Sequence, residues 1–245
     1  MPRNRFGLSR NIPSPVKREV RQRCGFGCVV CGAGIYDYEH FAPEFQHARF
    51  HDPNGITLLC PQCHQRKTRR RLSIDTVESA NADPVCLRSG FVSEPFDFAV
   101  GHPIEVFLGA NVFRGCGSLI TLGETPVLSI GPPSEVGAPF TLSTFFSDVA
   151  GRVTCVIDQN VWRAATENWD IEWSGPRLIV RRGRRDIVLD LTVEPPGRIR
   201  IERFYLQFQG RHLRSNAEML EFSGDGVSWG QMVCMQFNGV GFHLP

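Results

Sequence analysis

Two short cysteine motifs are the residues best spaced for chemistry: Cys28-Val-Val-Cys31-Gly32 and Cys60-Pro-Gln-Cys63-His64. Each C-x2-C knuckle can present two thiolates from one tight turn, and four thiolates about 2.3 Å from a single ion make a closed tetrahedral Zn2+ site. Such a site supplies folding energy to a segment too small to build a core of its own. The competing reading is two unrelated buried cysteine pairs, and the repeated spacing across 28 intervening residues weighs against it. Cys24 stands four residues before Cys28, but the C-x2-C-G turn favours Cys28 and Cys31 as ligands and leaves Cys24 as a packed thiol. Cys86, Cys116, Cys155 and Cys234 are single and scattered. In a reducing compartment, paired spacing reads as metal rather than disulfide.

Between and beyond the knuckles lie Tyr36-Asp-Tyr-Glu39-His40, Asp52-Pro-Asn54-Gly-Ile-Thr-Leu-Leu-Cys60 and Cys63-His64-x-x-Lys67-Thr68. In this order, over about residues 12–68, the segment resembles the zinc-containing branch of the HNH endonuclease family. The resemblance implies a small ββα-metal domain in which a hairpin and a following helix grip one divalent cation. It implies His40 as general base toward the attacking water, a role its ordinary pKa of about 6.5 suits. Glu39 and His64 would hold a catalytic Mg2+ or Mn2+ that polarises the scissile phosphate, and Lys67 would steady a phosphate oxygen. Two positions depart from the family pattern. Glu39 stands where Asp is usual, and the slot of the middle Asn is Gly55, with Asn54 one residue earlier. Asn54 is carried over as the residue orienting His40. His47 and His51, whose ordinary reading is as solvated loop residues, are the alternatives.

These side chains need elements to hold them. Gly34 to His40 suits a first strand, Gly55 to Leu59 a second, and Pro61 the first turn of a helix carrying His64 and Lys67. Ser14-Pro15 reads as the cap and first residue of an earlier helix over Val16 to Arg23, with Lys17, Arg18 and Arg21 on one side. Residues 1–11 read as a mobile basic arm. Asp75-x-x-Glu78 signals a short helix that Asp83-Pro84 stops. After Pro84 the pattern changes to β-branched and aromatic runs punctuated by turn residues: Ile104–Leu108, Ser118–Leu122, Val127–Ile130, Val153–Ile157, Leu178–Arg182, Ile187–Val193, Ile199–Gln209 and Met232–Phe242. The expected class is therefore α+β: a zinc-stapled ββα-metal domain over 1–83, a linker over 84–103, and an all-β, sandwich-like domain over 104–245.

Charge separates the two parts. Residues 1–74 hold 13 Lys+Arg against five Asp+Glu, and residues 75–245 hold 14 against 20. A basic N-terminal part on an acidic remainder points to a polyanion, DNA, as partner of the first part alone. Lys17, Arg18, Arg21, Arg66, Arg69, Arg70 and Arg71 are the expected phosphate contacts. Trp162, Trp169, Trp173 and Trp229 read as core or interface aromatics. The apolar content after Pro84 suits self-association of the second domain. No apolar run approaches the roughly 20 residues that span a bilayer, and the first residues lack an apolar signal segment, so a cytoplasmic protein is expected. Together these readings predict a DNA endonuclease. The alternative is a zinc-ribbon nucleic-acid-binding protein without the chemistry.

Overall fold

The computed structural model describes residues 3–115, 117–223, 227–230, 233–235 and 239–244, with side chains throughout except at 227–229, 234, 235 and 240. Cys116 and Met232, and the side chains of Cys234 and Trp229, lie outside the described residues. The chain forms two compact units, residues 1–94 with 165–171 and residues 95–164 with 172–245.

In the first unit, α1 (Ser14–Cys24) begins after Pro13, which caps without a side-chain bond, so Ser14 is the first helical residue rather than the cap. Gly25 ends it at a left-handed φ of 69°, its N–H reaching the carbonyls of Arg21 and Gln22. The helix buries Val20 and Cys24 against Ile56, Leu58 and Leu59. Those residues belong to β2 (Ile56–Leu59), which pairs antiparallel with β1 (Asp37–His40) so that Glu39 faces Thr57 and His40 faces Ile56. Then α2 (Pro61–Thr68) starts at a proline, which forgoes only an N–H that a first turn cannot use. α3 (Ile74–Ala82) is capped by Ser73, whose hydroxyl accepts from the Thr76 N–H. Residues 84–103, read from sequence as a linker, hold α4 (Val85–Ser89) and β3 (Phe91–Pro95).

Residues 3–10 are docked and not a free arm. Asn4 Nδ2 donates to the carbonyls of Phe45 at 2.7 Å and Ala48 at 2.6 Å, and Arg5 meets His47 Nδ1 at 2.7 Å.

The second unit is built of strands β4 (Glu105–Leu108), β5 (Asn111–Arg114), β6 (Ser118–Leu122), β7 (Thr125–Gly131), β8 (Thr141–Ser147), β9 (Val153–Asp158), β10 (Val161–Ala165), β11 (Asp170–Ser174), β12 (Arg177–Gly183), β13 (Asp186–Glu194), β14 (Arg198–Phe208), β15 (Arg211–Ser215), β16 (Leu220–Phe222), β17 (Val227–Trp229), β18 (Val233–Met235) and β19 (Val240–Leu244). The outermost residues of β10 and β11, Ala165 and Asp170–Ile171, belong to the first unit. One sheet runs β19-β6-β7-β8-β9-β10 and another β12-β13-β14-β15-β16-β17, while β4 joins β14 in parallel. The two sheets meet through Phe146 of β8 and Phe204 of β14, rings 5.9 Å apart. Trp162 is buried and packs on Trp173 at 5.2 Å, a core pair rather than a binding platform.

The α+β expectation, with a ββα-metal domain set before an all-β one, is corrected. Among the described residues strand makes up 44% and helix 16%, so the class is mostly β. The helices are short, the longest being the 11 residues of α1, and the packing mass lies in long-range strand pairing.

Candidate metal and catalytic centre

The two knuckles converge. Cys28, Cys31, Cys60 and Cys63 bring their sulfurs within 4.8 Å of one another, Cys31 Sγ and Cys60 Sγ being 3.6 Å apart. A tetrahedron with bonds of about 2.3 Å has edges of roughly 3.8 Å, so the four-cysteine cluster can hold one metal ion such as zinc. The turns are locally determined. Gly32, at φ 81°, returns its N–H to the Cys28 carbonyl at 2.8 Å, and the Cys63 N–H points at Cys60 Sγ at 3.3 Å. The Cys31 thiol, donating to Cys28, outweighs burial and holds the Cys28 thiol down to about 5. Burial pushes Cys63 up to about 12, with the nearby Cys28 adding to it. A bound dication would relieve that crowding of sulfurs. Cys24 sits outside the cluster, 3.8 Å from Thr57 Oγ1, as a buried packed thiol.

Beside it β1 and α2 bring four expected residues to one cleft of about 1170 Å³, lined by Glu39, His40, His64 and Lys67 together with Arg10, Arg70 and Arg71. Glu39 Oε2 lies 3.0 Å from His64 Nε2, and Glu39 Oε1 accepts from Lys67 Nζ at 2.7 Å. Glu44 Oε1 is a further 3.8 Å neighbour of Lys67. A carboxylate oxygen and an imidazole nitrogen 3.0 Å apart stand at ordinary hydrogen-bond distance. His40 is 8% exposed. Burial, aided by His51 and Arg10 against the pull of Glu39, lowers its pKa to about 4, so the ring is neutral near pH 7.

The partner of His40 is His51, whose Nδ1 lies 3.0 Å from His40 Nε2. Asn54 is exposed in a one-turn 3-10 helix, where its backbone N–H donates to Asp52 Oδ1 at 3.0 Å. Gly55 is enforced by space, since a Cβ there would stand 2.1 Å from the Ala42 carbonyl oxygen. No larger residue, asparagine included, fits that slot.

The expected phosphate contacts divide. Arg66, Arg69, Arg70 and Arg71 are exposed at the end of α2. Arg70 holds a left-handed φ of 56° and donates its N–H to the Lys67 carbonyl at 2.9 Å, a place where glycine is the unstrained choice. Lys17 lies 5.4 Å from the Tyr38 ring, and Arg18 stacks 4.6 Å from the Trp169 ring. Arg21 is removed from the DNA-contacting set. It is 2% exposed and grips Asp170 through two 2.8 Å bonds, with Tyr38 Oη a third partner at 2.7 Å. Nothing in the sequence near Arg21 marks Asp170 as its partner. Arg10, absent from the expected set, reaches the cleft through the docked arm. Compared with family models, with curated proteins and with solved structures, the chain has no match in any of the three. Among the described residues, no helix is long and apolar enough to cross a membrane.

Proposed function

We propose that the first unit is a metal-dependent, HNH-type DNA endonuclease. The observation that carries the reading is the 3.0 Å pairing of Glu39 with His64, beside a neutral buried His40, in a cleft rimmed by exposed arginines. Cys28, Cys31, Cys60 and Cys63 hold a structural Zn2+ that ties α2 to the segment before β1. Glu39 and His64 hold a Mg2+ or Mn2+, which supplies charge stabilisation to a phosphodiester when bound. His40 acts as general base. When His40 Nε2–H donates to His51 Nδ1, the lone pair on His40 Nδ1 is left to accept a proton from water. Lys67 and Arg70 neutralise phosphate charge at the cleft. The Arg-lined cleft also suits the alternative, a zinc-stapled DNA-binding protein without cleavage, and one assay separates the two. In plasmid nicking with Mg2+ or Mn2+, the full chain cuts and His40→Ala loses about 10²–10⁴-fold in rate, with zinc content and DNA binding retained. Equal cutting by His40→Ala and wild type overturns the mechanism. DNA binding by wild type with no cutting leaves the alternative.

A further inference from the structure

The docked arm and the loop after β1 build a surface the catalytic cleft does not use. Asn4 ties the arm to the loop through the Phe45 and Ala48 carbonyls, and Arg5 reaches His47. Phe6, 44% exposed, lies between two guanidinium groups, Arg5 at 4.8 Å and Arg49 at 5.1 Å from its ring centroid. The next residue, Phe50, is 68% exposed, so its ring faces solvent. At the other end of the arm, Arg10 stacks 4.6 Å from the Phe45 ring, and both residues line the cleft. The surface is thus continuous with the cleft.

Exposed phenyl rings alternating with arginines are the composition that grips a nucleic-acid strand with unstacked bases: the cations follow the phosphates and the rings stack on base faces. A duplex keeps its bases stacked inward and has no use for Phe50. We infer that this arm-and-loop surface binds single-stranded DNA leading into the cleft, with Phe50 stacking on an unpaired base, so that the substrate class is DNA with a single-stranded segment. This rests on the nucleic-acid reading of the cleft and adds which form of DNA it takes.

The test is binding of the full-length protein, without added Mg2+ or Mn2+, to a fluorescent single-stranded oligonucleotide and to a blunt duplex of the same length. Wild type is expected to prefer the single strand. Phe50→Ala should weaken single-strand binding about 10-fold, within the span of one base–aromatic stack, and leave duplex binding unchanged, while Phe50→Trp retains or improves it. Arg5→Gln with Arg49→Gln should lower the salt slope on single strands by about 0.7 for each phosphate that is no longer neutralised. Equal loss on both DNAs for Phe50→Ala, or no loss on either, overturns the inference. Cleavage is scored separately with Mn2+. A chain that binds through Phe50 yet cuts nothing keeps this surface and loses the nuclease reading, and one that cuts with Phe50 irrelevant does the reverse.

Discussion

Arg70 shows how a single residue can trade stability for a role. Its left-handed backbone, just after α2, favours glycine by about 1–2 kcal/mol, yet the chain keeps a long cation there that reaches the cleft. Arg70→Gly is therefore expected to raise stability by about 1 kcal/mol while weakening DNA binding. A denaturant melt and a binding isotherm on the same preparation check both signs. His51 makes the second prediction at this scale. As the hydrogen-bond partner of His40, it holds one of the two imidazole nitrogens. His51→Ala should cut kcat by about 10–100-fold, by analogy with the loss of outer-shell partners of functional histidines, with KM little changed. His51→Asn, which keeps an acceptor, should recover part of it, whereas Asn54→Ala should be close to neutral. A large loss for Asn54→Ala with none for His51→Ala would reverse the assignment. Glu39, His40, His64 and Lys67 were singled out by the family resemblance, and the strand and helix that carry them have short-range signals. His51 stood only as an alternative to Asn54, because a loop histidine carries no periodic signal until the loop folds back.

At the scale of elements, α1 is held on its outer face by the segment 165–171. Asp170 is fully buried, and its oxygens take both Arg21 nitrogens, with Arg18 Nε a further 3.6 Å neighbour. Gln22 adds a 2.7 Å bond to the Trp169 carbonyl. Burial, the largest single effect, disfavours the Arg21 charge, and the bond to Asp170 together with the electrostatic pull of Tyr38, Tyr36 and Asp170 outweighs it, raising its pKa. Removing one partner strands a buried charge, so Asp170→Ala should destabilise the first unit by about 3–5 kcal/mol. Replacing both residues, as Arg21→Met with Asp170→Leu, should recover much of that. Thermal melts of the three variants decide it, and an Asp170→Ala melt indistinguishable from wild type would show that the pair contributes little. The helix itself was readable from Pro15 and the basic residues that follow, but its basic face resembled a solvated, DNA-facing one. A row of arginines reads the same in sequence whether water, phosphate or a buried carboxylate meets it.

Across the whole molecule, positive charge and the four-cysteine cluster are concentrated in the first 74 residues. The 13 Lys+Arg there face five Asp+Glu, and the remainder is acidic. DNA affinity should accordingly fall steeply with salt through counterion release. Neutralising Arg69, Arg70 and Arg71 together should flatten the slope by about 2–3. Titrations at several salt concentrations read the slope directly, and a slope unmoved by the triple variant would place the binding surface elsewhere.

The sequence by itself determined the two knuckles and the partition of charge. Each rests on contacts within a few residues or on composition: the Gly32 turn closes on Cys28, and Cys63 closes on Cys60. The runs of β4, β6, β7, β9, β12, β13 and β14 were visible as well, since alternation is local, whereas β3, β5, β11, β15, β16 and β17 gave no such run. β8 and β10 were not legible, because Thr and Ser make up four of the seven residues of the one and Arg and Ala follow Trp in the other. Tertiary structure decided the rest. The class became mostly β because strand pairing joins residues far apart in sequence, as β4 with β14. Arg21 turned inward because Asp170 arrives from 149 residues away. Gly55 is glycine because the Ala42 carbonyl lies where a side chain would start, and His51 meets His40 because the loop between the two strands folds back. Such outcomes depend on where a distant backbone packs, and no local spacing encodes that.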